Sequence, residues 1–114
     1  MNSKSFKLNN NGLLNKKGHN IIFNGKEEVV QMGVNGIDHG TMHLNDFMSL
    51  HEGHGYGKMA VTWLFTALPA IKTIELKCKD GVLPFWTNCG GVVTNKDEYY
   101  NTVTISRKNL ENPL

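Results

Sequence analysis

The segment Gly53-His54-Gly55-Tyr56-Gly57-Lys58 divides this chain into two patterns that require different backbones. Before it, apolar and polar residues alternate from Thr41 to about Leu50, as along a strand. After it, Met59, Ala60, Trp63, Leu64 and Ala67 recur at helical spacing until Pro69 ends the run. Three glycines at alternate positions thus make a strand-to-helix junction. Without Cβ atoms, such a junction lets an anion approach backbone N–H groups. The opening turn of the helix adds unsatisfied donors and the positive end of its dipole. Strand, bare loop and helix read as a socket for a phosphorylated ligand.

The rest of the chain extends that unit on both sides. Phe6 and Leu8 suggest a short first strand closed by the Asn9-Asn10-Asn11-Gly12 turn signal, with Leu13-Leu14 no more than a helical turn. Asn20 to Phe23 reads as a strand ended by Asn24-Gly25, a hairpin dipeptide, and Glu28 to Val34 as its antiparallel partner ending at Asn35-Gly36. After Asp38-His39-Gly40 comes the Thr41 to Leu50 strand, completing a β-meander. Thr73 to Lys79 alternates, with Ile74, Leu76 and Cys78 on one face, and a strand after a crossover helix runs parallel to the strand before it. Val82 to Cys89 is a short helix that Asp80 could cap, stopped by Gly90-Gly91. Val92 to Thr94 and Tyr99 to Ser106 make a closing hairpin. The expected class is α/β, an α+β mixed sheet of order βββ-loop-αβαββ with both helices available to cover it.

A chain of 114 residues with 39% hydrophobic content suits one domain over 1–114. No apolar run is long enough to span a bilayer, and the opening Met1 to Ser5 lacks the centre of a signal peptide, so a cytoplasmic protein is expected. Two cysteines, Cys78 and Cys89, make neither a disulfide framework nor a four-ligand zinc site and are expected to be reduced. A net charge of +2 on scattered lysines gives no footprint for nucleic acid.

Two familiar phosphate loops fail on spacing. A Walker A loop would need Gly where Glu52 stands and a hydroxyl where Met59 stands. A dinucleotide fingerprint needs a βαβ unit opening a doubly wound sheet, whereas antiparallel strands come first here and the spacing is GxGxG. The segment Glu52-Gly53-His54-Gly55-Tyr56-Gly57 instead resembles the Q/R-x-x-G-x-G/A signature of the GCN5-related N-acetyltransferase (GNAT) family, which holds the pyrophosphate of coenzyme A. Asp80 to Gly90 is similar to that family's N-x-A-x-x-F-Y-x-x-x-G segment, and the two motifs stand in register over about residues 27 to 107. The resemblance implies an acyl-CoA N-acyltransferase fold truncated at its N-terminus. Residues 1–26 are the reduced N-terminal part and 27–107 the CoA-binding core. It also implies acetyl-CoA as cosubstrate and an amine acceptor; apolar-run length and charge add the expectation of no membrane and no nucleic acid as partners, and a homodimer is an admissible assembly.

Residue by residue, the resemblance places CoA against Met48, Ser49 and Leu50 of the strand, against Gly53, His54, Gly55, Tyr56, Gly57 and Lys58 of the loop, and against Trp86. Met48 and Leu50 also suit the core; a contact made by backbone allows both. Departures from the family pattern are Glu52 for Gln or Arg, His54 for Lys or Arg, Asp80 and Val82 for Asn and Ala, and Trp86 where many members carry a proton-donating tyrosine. An indole is no such acid.

Transfer to an amine requires a group that accepts the ammonium's proton. Alternation puts His43, Asn45, Phe47 and Ser49 on one strand face, with Leu44, Asp46, Met48 and Leu50 on the other. His43 and Asp46 are the candidate bases and Cys89 a candidate acid, each with a structural reading beside it: a hydrogen-bonded or exposed polar group, or a small buried hydrophobe. Tyr99 and Tyr100 could line an acceptor groove or pack on the sheet. His39, His43, His51 and His54 with nearby carboxylates suit zinc, but the segment reads as loop and strand, so no metal is assigned. The expected function is acetyl transfer to a primary amine of a small molecule or protein. A catalytically inactive GNAT-like binding or structural protein, with a bacteriophage source among the expectations, is the alternative, and a His-cluster metal-binding protein the second.

Overall fold

The computed structural model describes residues 5–51 and 53–108. Strands β1 (Phe6–Leu8), β2 (Lys17–Asn24), β3 (Glu27–Asp38) and β4 (Thr41–Ser49) form an antiparallel meander, with a single helical turn, α1 (Asn9–Gly12), between the first two. Helix α2 (Tyr56–Ala67) crosses to β5 (Thr73–Cys78), which pairs parallel to β4. A 3-10 turn (Asp80–Val82) leads into α3 (Leu83–Asn88), and β6 (Val92–Lys96) and β7 (Asn101–Ser106) close the chain as a hairpin. The sheet order is β1-β2-β3-β4-β5-β7-β6, so β7 inserts beside β5 and β6 lies at the edge. The expected mixed sheet and element order are present, with β1 joined to the meander as its first strand.

Several local expectations are corrected. The early helical turn lies at Asn9–Gly12, not at Leu13-Leu14. β3 does not stop at Asn35-Gly36. Val34 pairs with Leu44 and Ile37 with Met42, so Asn35 and Gly36 bulge opposite His43 and the strand continues to a reversal at His39-Gly40. Asp80 does not cap α3. Its carboxylate accepts a 2.8 Å hydrogen bond from Asn101 Nδ2 and lies 3.7 Å from Lys96 Nζ, and these two contacts, the hydrogen bond first, hold its carboxyl below the usual range.

One face of the sheet carries the core. Ile22, Val30, Met32, Met42, Ile74, Val103 and Ile105 are buried there, with Ala60, Val61 and Leu64 of α2 among the same packed cluster. Phe6 of β1 meets Tyr56 and Trp63 of α2 edge-on, which ties the first strand to the helix. The opposite face behaves otherwise. In β5 and β7 every second residue is buried and its neighbours are not, the pattern of an antiparallel-type sheet wetted on one side. Neither α2 nor α3 covers that face.

Arg107, just past β7, locks the far end of α2. Its guanidinium donates to the carbonyls of Phe65, Leu68 and Ile71, and lies 5.2 Å from the Phe65 ring centre. The last carbonyls of a helix lack intrahelical donors, and an arginine fork meets several at once. Cys78 and Cys89 are free thiols, both buried.

Candidate functional site

The site begins with an extra residue in β4. Gly33 pairs with Asp46 and Val34 with Leu44, leaving Asn45 unpaired as a bulge. A bulge shifts the side-chain alternation by one. Phe47 and Ser49 therefore share the covered face with Leu44, while Asp46 and Met48 turn to the open face with His43. This corrects the uniform alternation expected along Thr41 to Leu50. Asp46 is exposed, not set among apolar neighbours, and Met48 is 56% exposed.

The same bulge ends the pairing of β4 with β5. Their parallel register runs from Thr41 opposite Thr73 to Leu44 opposite Leu76 and goes no further. Beyond it the two strands part, and a throat of 170 Å³ opens between Asn45, Asp46, Lys77 and Trp86. The throat shares Phe47, Val82 and Trp86 with a cleft of 580 Å³ on the side of the glycine loop. It shares Leu44, Asn45, Leu76 and Lys77 with a 340 Å³ hollow that reaches His43 and Glu75. Cleft, throat and open-face hollow thus adjoin one another along the splay.

At the cleft end, Gly55 stands at the entrance to α2 with φ of 73°, a left-handed conformation that glycine adopts without strain. The first helical hydrogen bond runs from the Met59 N–H to the Gly55 carbonyl at 3.1 Å. Among the described residues, nothing accepts from the amides of Gly55, Tyr56, Gly57 or Lys58. Cβ atoms built on Gly53 and Gly55 would meet nothing within 4 Å beyond their chain neighbours, so no side chain from elsewhere among the described residues crowds these two positions. His54 stacks on Tyr56 with ring centres 5.4 Å apart, and His51 meets both edge-on. Glu52 lies outside the described residues.

The opposite wall is α3. Phe47 contacts Phe85 and Trp86 at centroid distances of 6.0 and 5.2 Å, and Gly57 lets Phe85 come against α2. Of the residues expected at a CoA site, Met48, Ser49, Gly53, Gly55, Tyr56, Gly57, Lys58 and Trp86 line this cleft. Leu50 does not; its N–H is held by the Val29 carbonyl at 2.9 Å. His54 lies exposed on the loop beside it. His43 and Asp46 share the open face but line different hollows, His43 the one with Glu75 and Asp46 the throat. Cys89 is 2% exposed in the core, does not line the cleft, and has its thiol pushed up to about 11 by burial. Tyr99 and Tyr100 sit in the β6–β7 turn, their N–H groups donating to Asp97 at 2.8 Å. Among the described residues, no three His, Cys, Asp or Glu side chains gather as a metal site would require. Among the residues that escaped sequence reading are Phe47, misplaced by the bulge, Phe85 of the cleft wall, and Glu75, which only the parallel register sets beside His43.

No family model and no curated protein matches the chain. Solved structures do. The chain is similar to Campylobacter jejuni N-acetyltransferase PseH in complex with acetyl coenzyme A, at 10% identity over 82% of this chain and 70% of that one, with a TM-score of 0.65. It is similar to the dodecameric spermidine N-acetyltransferase of Vibrio cholerae, at 13% identity over 86% and 69% of the two chains, with a TM-score of 0.64. A Bacillus subtilis acetyltransferase in complex with CoA matches at 13% identity, 82% and 78% coverage and a TM-score of 0.61. The chain has the GNAT fold. Within that fold the bulge at Asn45, the splay of β4 from β5 and the glycine turn of α2 belong to a single connected feature, and the first part of the chain supplies strands β1 and β2 with only the single turn α1 between them.

Proposed function

We propose that this chain is an acetyl-CoA-dependent N-acetyltransferase that moves acetyl directly onto a primary amine, without a covalent acyl-enzyme. The observation that carries the reading is the uncapped glycine turn at the head of α2, in a cleft that adjoins the splayed strands. Free amides there would take the pyrophosphate, and Lys58 adds a positive charge. Phe47 and Trp86 would enclose the pantetheine. Beyond the Leu44–Leu76 pair, unpaired strand backbone would polarise the thioester carbonyl. The GNAT fold, shared with acetyltransferases in complex with acetyl-CoA and CoA, supports the same ligand.

Every group invoked comes from one chain, so a homodimer is admitted but not required. No helix of the described residues is long and apolar enough to cross a membrane. The open sheet face admits an amine carried by a small molecule or by a protein. A second reading, a CoA-binding protein without catalysis, is favoured by Trp86 at the place of the proton-donating tyrosine.

Calorimetry with CoA and acetyl-CoA, followed by thiol release over an amine panel, separates the two readings. Binding with release supports transfer, and binding with silence across the panel supports the second reading. The absence of binding overturns both.

A further inference from the structure

We infer that Glu75 is a positioning residue for His43, and that this pair takes the proton of the attacking ammonium on the open face of the sheet. The inference rests on the acetyl-transfer reading. His43 and Glu75 are register partners in the parallel β4–β5 pair, one residue before the strands separate. Cross-strand partners point to the same face, and here Nδ1 of His43 lies 3.4 Å from Glu75 Oε1 with both side chains half-buried. A carboxylate at this distance needs only a small closure to accept a hydrogen from Nδ1, which would set the tautomer that leaves the Nε2 lone pair free.

The surroundings give this pair access to the reacting atoms. The hollow that His43 and Glu75 line shares Leu44, Asn45, Leu76 and Lys77 with the throat, so an amine held in it lies next to the splay. Asp46 stands on the same face beside Gly33, where a Cβ would come 3.3 Å from Asp46 Oδ2. The missing side chain keeps that approach clear. Asp46 and Glu75 set carboxylates near the splay beside the ammonium of Lys77.

The chemistry balances without a further reactant. One proton passes from the ammonium to His43 Nε2 and on to solvent. The amine lone pair forms the C–N bond, the C–S bond breaks, and the second proton carried by nitrogen goes to the departing sulfur. Trp86 donates none of these.

The test compares two nucleophiles at pH 7 in the full chain, with thiol release as the readout. n-Butylamine is an ammonium that must lose its proton first; hydroxylamine is neutral and needs no base. Their rate ratio reports proton removal and cancels the positioning of the thioester. General-base catalysis is worth orders of magnitude, so the ratio should fall about a hundredfold in His43→Ala and about tenfold in Glu75→Gln. The loss should be in kcat, with KM for acetyl-CoA held, and Glu75→Gln should add nothing in the His43→Ala background. Glu75→Asp, which withdraws the carboxylate by one methylene, serves should the Gln variant not fold. A ratio unchanged in both single variants overturns the inference alone, as does a wild type that uses hydroxylamine but not n-butylamine. A wild type that binds CoA and acts on neither overturns the acetyl-transfer reading, and this inference with it.

Discussion

Gly57 in the first turn of α2 lies against Phe85 of α3: a Cβ built on Gly57 would stand 3.0 Å from Phe85 Cζ and 3.1 Å from Cε1. The contact sets how far α3 stands from the glycine turn, and so the width of the cleft between them. Phe85 is 36% exposed and its ring can tilt away, so the strain of an added methyl is modest. Gly57→Ala should cost about 1–2 kcal/mol, the usual scale for overpacking a tight contact. Gly57→Ala with Phe85→Leu should recover most of the loss. Chemical denaturation of the two variants checks both statements.

Gly55 poses the opposite case. Its φ of 73° penalises any side chain, yet a Cβ there meets nothing within 4 Å among the described residues beyond its chain neighbours. Gly55→Val should therefore lower stability by about 1–2 kcal/mol through backbone strain alone. Its effect on ligand should be far larger, because the added methyls would occupy the place of the diphosphate. Thermal shift with CoA checks it: the wild type should rise, and Gly55→Val should show no rise beyond its own apo value.

The parts of this molecule legible in its sequence are those that depend on neighbours along the chain. Alternation of Ile74, Leu76 and Cys78 marked a strand, the spacing of Ala60 and Leu64 marked a helix, and three bare glycines marked the turn between patterns. The bulge at Asn45 left no such trace. It falls between two polar residues, Asn45 and Asp46, so a period-two reading passes through it undisturbed and assigns every later side chain to the wrong face. Phe47 and Met48 exchanged roles for that reason. Glu75 and Arg107 were missed on different grounds. Each acts on a partner far away in sequence, through a parallel register or a helix end, and no local pattern encodes such a meeting. Asp80 shows the converse error: a residue well placed to cap α3 is taken by Asn101 instead.

Arg107 offers a direct measure of one such distant tie. Its guanidinium serves carbonyls of Phe65, Leu68 and Ile71 together, at the close of α2. Hydrogen bonds from a charged donor are worth more than neutral ones, and here their loss would strand the partly buried carbonyls of Phe65 and Ile71, while that of Leu68 keeps the Ile71 N–H. Arg107→Ala should cost about 2–3 kcal/mol. Arg107→Lys should recover less than half, since a single ammonium cannot span the set that a planar fork reaches. The check is the midpoint of urea unfolding, with an unchanged slope showing that the denatured state is the same.

Cys89 makes stability depend on alkaline pH in a defined window. Burial lifts its thiol from the ordinary 9.0 to about 11, against a smaller opposing pull from Lys58, and burial raises Cys78 as well. The folded state thus holds a proton that the unfolded chain releases earlier. By linkage, stability is fully present below the unfolded value of 9.0 and is lost as pH climbs through about 11. For Cys89 the full loss is about 2–3 kcal/mol once pH exceeds both values. Unfolding measured from pH 8 to 11 should show this decline, and Cys89→Ala should start lower, from its missing packing, but fall less steeply. Iodoacetamide at pH 8 gives an independent reading, because the thiolate is the reactive form. Cys89 in the native protein should alkylate far more slowly than in urea, and equal rates in the two would show that the thiol is not held in the core.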